Sequence, residues 1–183
     1  MHTALGHLKS KPGTHHGKLT SYSNFVNVAE GRQRTKPQGS SCNNQEISVI
    51  EAMIKTLVEK GCDVGQICVV TAYLWQLENL QKMKDKNGWA EWSILSADTC
   101  QGGEWKIKIL SLVKTDPEGS PSFTGELPRA NVVTTRAREA RYFVGNWDFW
   151  KRAPLPDGKF EVMHAVLQQI LRDEGNGFVT EMW

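Results

Sequence analysis

The stretch SADTCQGGEWKIKILSLVKT, residues 96–115, is the part of the sequence that says most about the fold. Its second half, IKILSLVKT (107–115), is a short run rich in apolar residues, which is typical of a β-strand. Before it, the adjacent glycines Gly102 and Gly103 either let the backbone approach a phosphate or form a plain turn. The stretch therefore predicts a turn entering a strand and leaves the purpose of that turn open.

The same stretch also bears on where its strand lies in a sheet. WKIKIL (105–110) alternates apolar residues with Lys106 and Lys108. Alternation of this kind indicates a strand with one solvated face, as an edge strand has. We therefore expect an edge position for this strand.

Strands and helices alternate on both sides of this stretch. Strands are predicted at SNFVNVA (23–29), QICVVTAY (66–73), WSILSADT (92–99) and RYFVGN (141–146), and helices within 41–63, 74–86, 127–140 and 158–175. Asn43 and Glu46 fit a capping pair at the start of the first helix, and Gly61 fits its C-terminal cap. This alternation predicts an α/β fold with a parallel sheet.

Length and composition place the chain among ordinary globular proteins. It has 183 residues, 39% hydrophobic residues and a net charge of +2, which is too weak to indicate nucleic acid by itself. The pattern predicts a lead-in at 1–21, one domain at 22–175 and a tail at 176–183. Since no membrane span or signal peptide is visible, we expect an intracellular protein, nuclear or cytoplasmic, without a membrane partner.

Two apparent motifs are rejected. GTHHGKLT (13–20) resembles a phosphate-binding loop, but three residues separate its glycines and Leu19 follows Lys18. The histidines nearby and the four cysteines lack the spacing of a zinc site. No metal site is therefore expected.

Five segments occur in a fixed order around the opening stretch: GRQRTKPQGSSCNNQE (31–46), VVTAYLWQ (69–76), SADTCQGGEWKIKILSLVKT, RANVVTTRAREA (129–140) and RYFVGN. Together they resemble the second RecA-like domain of superfamily 1 helicases, the branch that includes the nonsense-mediated-decay RNA helicase. The resemblance covers roughly residues 22–155. It implies an α/β fold, a RecA-like parallel sheet flanked by helices, of the P-loop NTPase type but without its own P-loop.

The resemblance also implies roles for individual residues. Arg136 occupies the position of an arginine finger, the catalytic residue that stabilises the transferring phosphate. The implied ATP-binding residues are Tyr73, Gln76, Gly102, Glu104 and Arg136. The implied nucleic-acid contacts are Thr71, Ser96 and Lys114. The implied cofactors are ATP and Mg²⁺ in the intact enzyme, with the Mg²⁺ ligands outside this chain.

These residues also have ordinary interpretations. Arg136 could lie on a surface helix, Glu104 in a strand-entry turn, and Thr71 could cap a strand end. Leu77 and Glu78 stand where many relatives carry a second phosphate-directed arginine, whose loss would weaken charge stabilisation.

The sequence contains neither a Walker A lysine nor Walker B carboxylates. We therefore do not expect ATP hydrolysis by this chain alone. The main hypothesis is the C-terminal motor half of an RNA or DNA helicase, whose partners are a single strand and a first RecA-like domain in cis or trans. The alternative is a non-catalytic RecA-like remnant serving as a scaffold or protein-interaction module. An unrelated doubly wound nucleotide-binding protein ranks last, because the sequence has no G-x-G-x-x-G.

Overall fold

A parallel sheet forms the centre of the molecule. The computed structural model describes residues 13–15, 18–20, 22–100, 103–116, 137–152 and 179–181. The strands are β1 (Gly13–His15), β2 (Lys18–Thr20), β3 (Tyr22–Asn27), β4 (Arg34–Thr35), β5 (Ser41–Cys42), β6 (Ile67–Thr71), β7 (Ser93–Ser96), β8 (Trp105–Ser111), β9 (Ala137–Gly145) and β10 (Val179–Glu181). The helices are α1 (Asn44–Glu59), α2 (Leu74–Asn87) and α3 (Trp147–Arg152), with a 3-10 turn at Val64–Gln66.

Six strands form the main sheet, in the order β10-β3-β9-β8-β6-β7, and every neighbouring pair is parallel. Two antiparallel hairpins, β1–β2 and β4–β5, lie outside it. Helix α1 contributes apolar side chains to the core on one sheet face, and α3 contributes to the core on the other. The predicted α/β fold, a parallel sheet flanked by helices, is confirmed.

Helix α1 begins and ends where the sequence predicts. Asn43 Oδ1 accepts a hydrogen bond from the Glu46 N–H at 3.2 Å, as a helix N-cap does. Gly61 follows the helix with φ +86°, and the N–H of Cys62 donates to the Leu57 carbonyl. This left-handed closure satisfies carbonyls that the helix end would otherwise leave without partners.

The edge position expected for β8 is wrong. β8 lies between β6 and β9, and Lys108 is fully buried while Lys106 is exposed. Lys106 forms an ion pair with Glu139 at 3.6 Å. The alternation was misleading because it reports which residues are polar, whereas burial depends on what covers each face of the sheet.

The helix expected at 127–140 is wrong in its last four residues. Ala137–Ala140 belong to β9, where Ala140 pairs with Ile107 of β8 and with Tyr22 of β3. Pairing with two strands outweighs the helix propensity of this segment. Residues 127–136 and the helix expected at 158–175 lie outside the described residues.

The chain ends contain more regular structure than expected. Within the predicted irregular lead-in, β1 and β2 form an antiparallel hairpin. Within the predicted tail, β10 pairs with β3 and adds an outer strand to the sheet. Among the described residues, no helix has the length and apolar character needed to cross a membrane.

Candidate functional site

Three of the predicted site residues meet at the carboxyl edge of the sheet. Thr71 ends β6 and Ser96 ends β7, and the two are register partners. Thr71 also pairs with Ser111, the last residue of β8, and Lys114 follows shortly after. In open α/β sheets, the crevice outside the carboxyl ends of the strands is a common place for a ligand. The fold thus brings Thr71, Ser96 and Lys114 to the same edge of the sheet, as a shared site requires.

Lys114 is held over an aromatic ring at this edge. Its Nζ lies 5.5 Å from the centroid of the Tyr73 ring, within the range of a cation–π interaction. Tyr73 is only 7% exposed, and its N–H donates to Thr71 Oγ1 at 3.4 Å. Thr71 itself is 2% exposed. Of these three side chains, Lys114 is therefore the one that presents charge to a ligand.

Ser96 forms a local turn with Thr99. The Ser96 N–H donates to Thr99 Oγ1 at 3.0 Å, and the Thr99 N–H donates to Ser96 Oγ at 3.2 Å. Both hydroxyls lie at the surface side of the strand end. If Ser96 contacts a nucleic-acid strand, its hydroxyl therefore serves that contact and the hydrogen bond from Thr99 at the same time.

Gln76 lies beneath the edge, in a buried polar network. Its side chain is fully buried, its Nε2 donates to Ser111 Oγ at 2.8 Å, and its Oε1 accepts from the Asn43 N–H at 2.9 Å. These bonds join α2 to the start of α1 and to the end of β8. A direct contact between Gln76 and a nucleotide would require them to open.

Glu46 is the centre of that network. Its carboxylate is fully buried and accepts hydrogen bonds from the Val113 N–H at 2.9 and 3.0 Å and from Ser111 Oγ at 2.7 Å. Burial raises the pKa of Glu46 to about 8, and the hydrogen bonds from Ser111, Val113 and Leu112 oppose that rise. The sequence indicated Glu46 as a capping residue and a family position, but not as this centre.

The segment after β8 is fixed from two sides. Val113 adopts φ +67°, a left-handed conformation that is costly for a β-branched residue, and the bonds from Glu46 hold it there. Beyond it, the Thr115 N–H donates to Gln33 Oε1 and the Gln33 N–H donates to Thr115 Oγ1, each at 3.0 Å. Lys114 lies between Val113 and Thr115, so hydrogen bonds on both sides hold its backbone in place.

Glu104 lies at the opposite, amino edge of the sheet. It directly precedes β8, and its Oε2 accepts from Arg138 Nε at 2.9 Å and from Nη2 at 2.5 Å. Both side chains are more than half exposed, at 57% and 60%. β8 is seven residues long, so at about 3.3 Å per residue Glu104 lies roughly 20 Å from the carboxyl edge.

The predicted ATP-binding residues are therefore divided between two edges. Tyr73 and Gln76 lie at the carboxyl edge, and Glu104 lies at the amino edge. Gly102 and Arg136 lie outside the described residues. Of the predicted ATP-binding residues that the structure describes, Glu104 is the one with an exposed carboxylate. Among the described residues, no group of His, Cys, Asp and Glu is arranged to hold a metal ion.

Comparison with known proteins identifies relatives. The family model described as AAA domain matches residues 4–148. The chain is 33% identical over 141 residues to Helicase sen1 of Schizosaccharomyces pombe, covering 73% of this chain and 8% of that protein. It is 28% identical over 141 residues to the Regulator of nonsense transcripts 1 homolog of Arabidopsis thaliana, covering 73% and 11%.

Two further comparisons are a shorter sequence match and a match to a solved structure. The chain is 35% identical over 100 residues to the DNA-binding protein SMUBP-2 of Rattus norvegicus, covering 54% of this chain and 10% of that protein. A crystal structure of the C-terminal domain of a possible DNA helicase from Lactobacillus plantarum WCFS1 matches with TM-score 0.46 and 12% identity, covering 88% and 84% of the two chains. The chain thus spans 8% to 11% of the length of these three curated relatives.

Proposed function

The chain belongs to the AAA-domain family, as a C-terminal superfamily 1 helicase-like domain, and from this membership we propose that it is the second motor half of an ATP-dependent helicase. Its ligands are ATP with Mg²⁺ and a single strand of RNA or DNA. The nucleotide is shared with a first RecA-like domain, in cis or in trans. An intracellular setting, in nucleus or cytoplasm, fits this proposal.

One register pair supports the nucleotide assignment most directly. Trp105, the first residue of β8, pairs with Ala137, the first residue of β9. Glu104 precedes the one and Arg136 precedes the other in sequence. Glu104 and Arg136 are therefore the sequence neighbours of a register pair, Trp105 and Ala137, that lies at the amino edge of the sheet. We assign the nucleotide to this amino edge.

The roles of these two residues follow from their chemistry. ATP with Mg²⁺ supplies the phosphoryl group that is transferred. The guanidinium of Arg136 donates to the γ-phosphate across the domain interface and stabilises its charge as the transfer proceeds. The Glu104 carboxylate accepts hydrogen bonds from the sugar hydroxyls and orients the nucleotide.

The carboxyl edge then takes the nucleic acid. Lys114 provides a cation for the sugar–phosphate backbone, and Ser96 provides a hydroxyl at the neighbouring strand end. The buried Thr71, Tyr73 and Gln76 support these contacts from below. In this proposal Tyr73 and Gln76 position the strand ends, in place of direct contact with ATP.

A second candidate function is a non-catalytic scaffold. The observation in its favour is that Thr71 and Gln76 are almost completely buried by the chain itself. In addition, Glu78 lies where a second phosphate-directed arginine is common in the resembling family, and it pairs with Lys36 at 3.1 Å. A scaffold of this kind keeps the fold but lacks a cation that ATP hydrolysis uses to stabilise the phosphate charge.

The two candidates differ in one measurement. The chain is joined to a first RecA-like domain that carries a Walker A lysine, and ATP hydrolysis is measured with and without single-stranded oligonucleotide. A motor half gives hydrolysis that the oligonucleotide stimulates and that is lost when the Walker A lysine is replaced. A well-folded joined protein without hydrolysis supports the scaffold instead.

A further inference from the structure

We propose that the β4–β5 hairpin and the start of α2 form a second nucleic-acid contact surface, built from Arg34, Lys36 and Trp75, which stacks a base and binds the adjoining phosphates. This surface lies beside Lys114 and extends the path of the nucleic-acid strand beyond the β-sheet. The inference rests on the proposed function in one respect, namely that a single strand of nucleic acid lies at the carboxyl edge.

Two cations converge on one indole ring. Arg34 Cζ lies 5.4 Å and Lys36 Nζ lies 5.0 Å from the centroid of the Trp75 ring. Arg34 is exposed, and Lys36 and Trp75 are partly exposed. Single-stranded nucleic acid binds to this combination, because bases stack on aromatic faces and phosphates pair with the cations around them.

The surface is rigid before any ligand arrives. The hairpin is closed by the Lys36 N–H, which donates to the Ser40 carbonyl at 2.9 Å, and by a hydroxyl contact of 2.9 Å between Thr35 and Ser41. Ser40 Oγ then accepts from the Trp75 N–H at 2.9 Å. Tyr73, the N-cap of α2, gives no side-chain cap, so Ser40 caps the helix and fastens the hairpin to it.

The surface is continuous with the strand ends. Gln33, which directly precedes Arg34, is bonded in both directions to Thr115, which directly follows Lys114. Trp75 lies two residues after Tyr73, whose ring carries the Lys114 ammonium. The same strand of nucleic acid can therefore contact Lys114 first and the hairpin next.

Charge favours a polyanion here, although two acidic groups oppose it. Lys36 is 3.1 Å from Glu78, an exposed pair, and the N–H of the exposed Asp116 donates to Gln33 Oε1 at 3.4 Å. Arg34 and Lys114 add two further cations, so three basic residues outnumber the two acidic ones. A phosphate would displace Glu78 from Lys36, since exposed ion pairs of this kind are weak.

The test uses the full chain and fluorescein-labelled 12-mer oligo(U) and oligo(dT), with Kd measured by fluorescence anisotropy between about 50 and 200 mM NaCl, the range in which phosphate contacts alter affinity strongly. The variants are Arg34→Ala with Lys36→Ala, and Trp75→Ala with Trp75→Phe as its conservative counterpart. Lys82→Ala with Lys86→Ala removes the same charge from an exposed part of α2 and serves as the matched control.

We expect the Arg34 and Lys36 double variant to raise Kd at least ~10-fold and to reduce the salt slope by about 1.4, at roughly 0.7 per phosphate contact. Trp75→Ala should raise Kd about 5-fold or more while Trp75→Phe retains most of the affinity, because stacking needs an aromatic face. Glu78→Gln should tighten binding, because it frees Lys36.

Three results would overturn the inference. The first is that the wild-type chain does not bind the oligonucleotides at the lower salt concentration. The second is that the double variant and its control lose the same affinity. The third is that poly-glutamate competes as strongly as unlabelled oligonucleotide, which would indicate an acidic protein partner. Lys114→Ala separates this inference from the proposed function. If Lys114→Ala weakens binding and the hairpin variants do not, the proposed nucleic-acid edge stands and the hairpin surface fails.

Discussion

Both carboxylate oxygens of Glu46 accept the N–H of Val113, at 2.9 and 3.0 Å, inside the protein. The first residue lies in the opening turn of α1 and the second just beyond β8, 67 positions later. Their bond holds Val113 in its left-handed conformation, φ +67°, and so determines where Lys114 leaves the sheet. A buried acid thus positions a partly exposed base.

The first prediction concerns pH. Burial raises the pKa of Glu46 from its ordinary 4.5 to about 8, so between these values the folded protein holds a proton that the unfolded chain has released. The stability contributed by this group should be complete below about pH 4.5 and should be lost as the pH rises through 8. The slope of the free energy of unfolding is at most about 1.4 kcal/mol per pH unit.

Glu46→Gln tests this prediction by urea unfolding between pH 5 and 8. Glutamine retains an acceptor for the Val113 N–H and does not ionise, so the unfolding free energy of the variant should vary less with pH than that of the wild type. Identical pH slopes in the two proteins would count against the role assigned to Glu46.

The second prediction concerns the buried amide of Gln76. Gln76→Ala leaves the Asn43 N–H without its bond of 2.9 Å and removes the donor to Ser111 Oγ, which should cost about 1–3 kcal/mol of stability. Gln81→Ala, on the exposed side of the same helix, should change stability by less than about 0.5 kcal/mol. Thermal or urea unfolding measures both, and equal effects would show that Gln76 is not a structural centre.

The third prediction concerns the ion pair between Glu104 and Arg138. Because both side chains are more than half exposed, a double-mutant cycle with Glu104→Gln and Arg138→Gln should give a coupling free energy of about 0.2–1 kcal/mol that decreases with salt. A pair this weak leaves Glu104 available to a nucleotide. A coupling well above that range, unchanged by salt, would mean that Arg138 withholds Glu104 from any ligand.

Local signals in the sequence determined the fold class and the start of α1. Asn43 and Glu46 are three residues apart, and a cap needs no more information than that. The burial of Lys108 could not be predicted in this way, because the pattern of β8 does not show that the strand lies between β6 and β9. The bond between Gln33 and Thr115 likewise joins residues 82 positions apart.

The division of the predicted nucleotide residues between two edges follows from the direction of the strands. Glu104 precedes a strand, whereas Tyr73 and Gln76 follow one. In a parallel sheet, residues before strands and residues after strands lie at opposite edges. The resemblance grouped these residues by family role, and the direction of the strands separates them by roughly the length of β8, about 20 Å.

The most direct test of the account is ATP hydrolysis by the chain joined to a first RecA-like domain, compared between wild type, Arg136→Ala and Lys60→Ala. Lys60 is an exposed cation at the end of α1, and its removal should leave the rate unchanged. Arg136→Ala should lower the nucleic-acid-stimulated kcat by about 10³-fold or more, with single-strand affinity preserved. A rate for Arg136→Ala equal to that of Lys60→Ala would contradict the claim that this chain supplies an arginine finger.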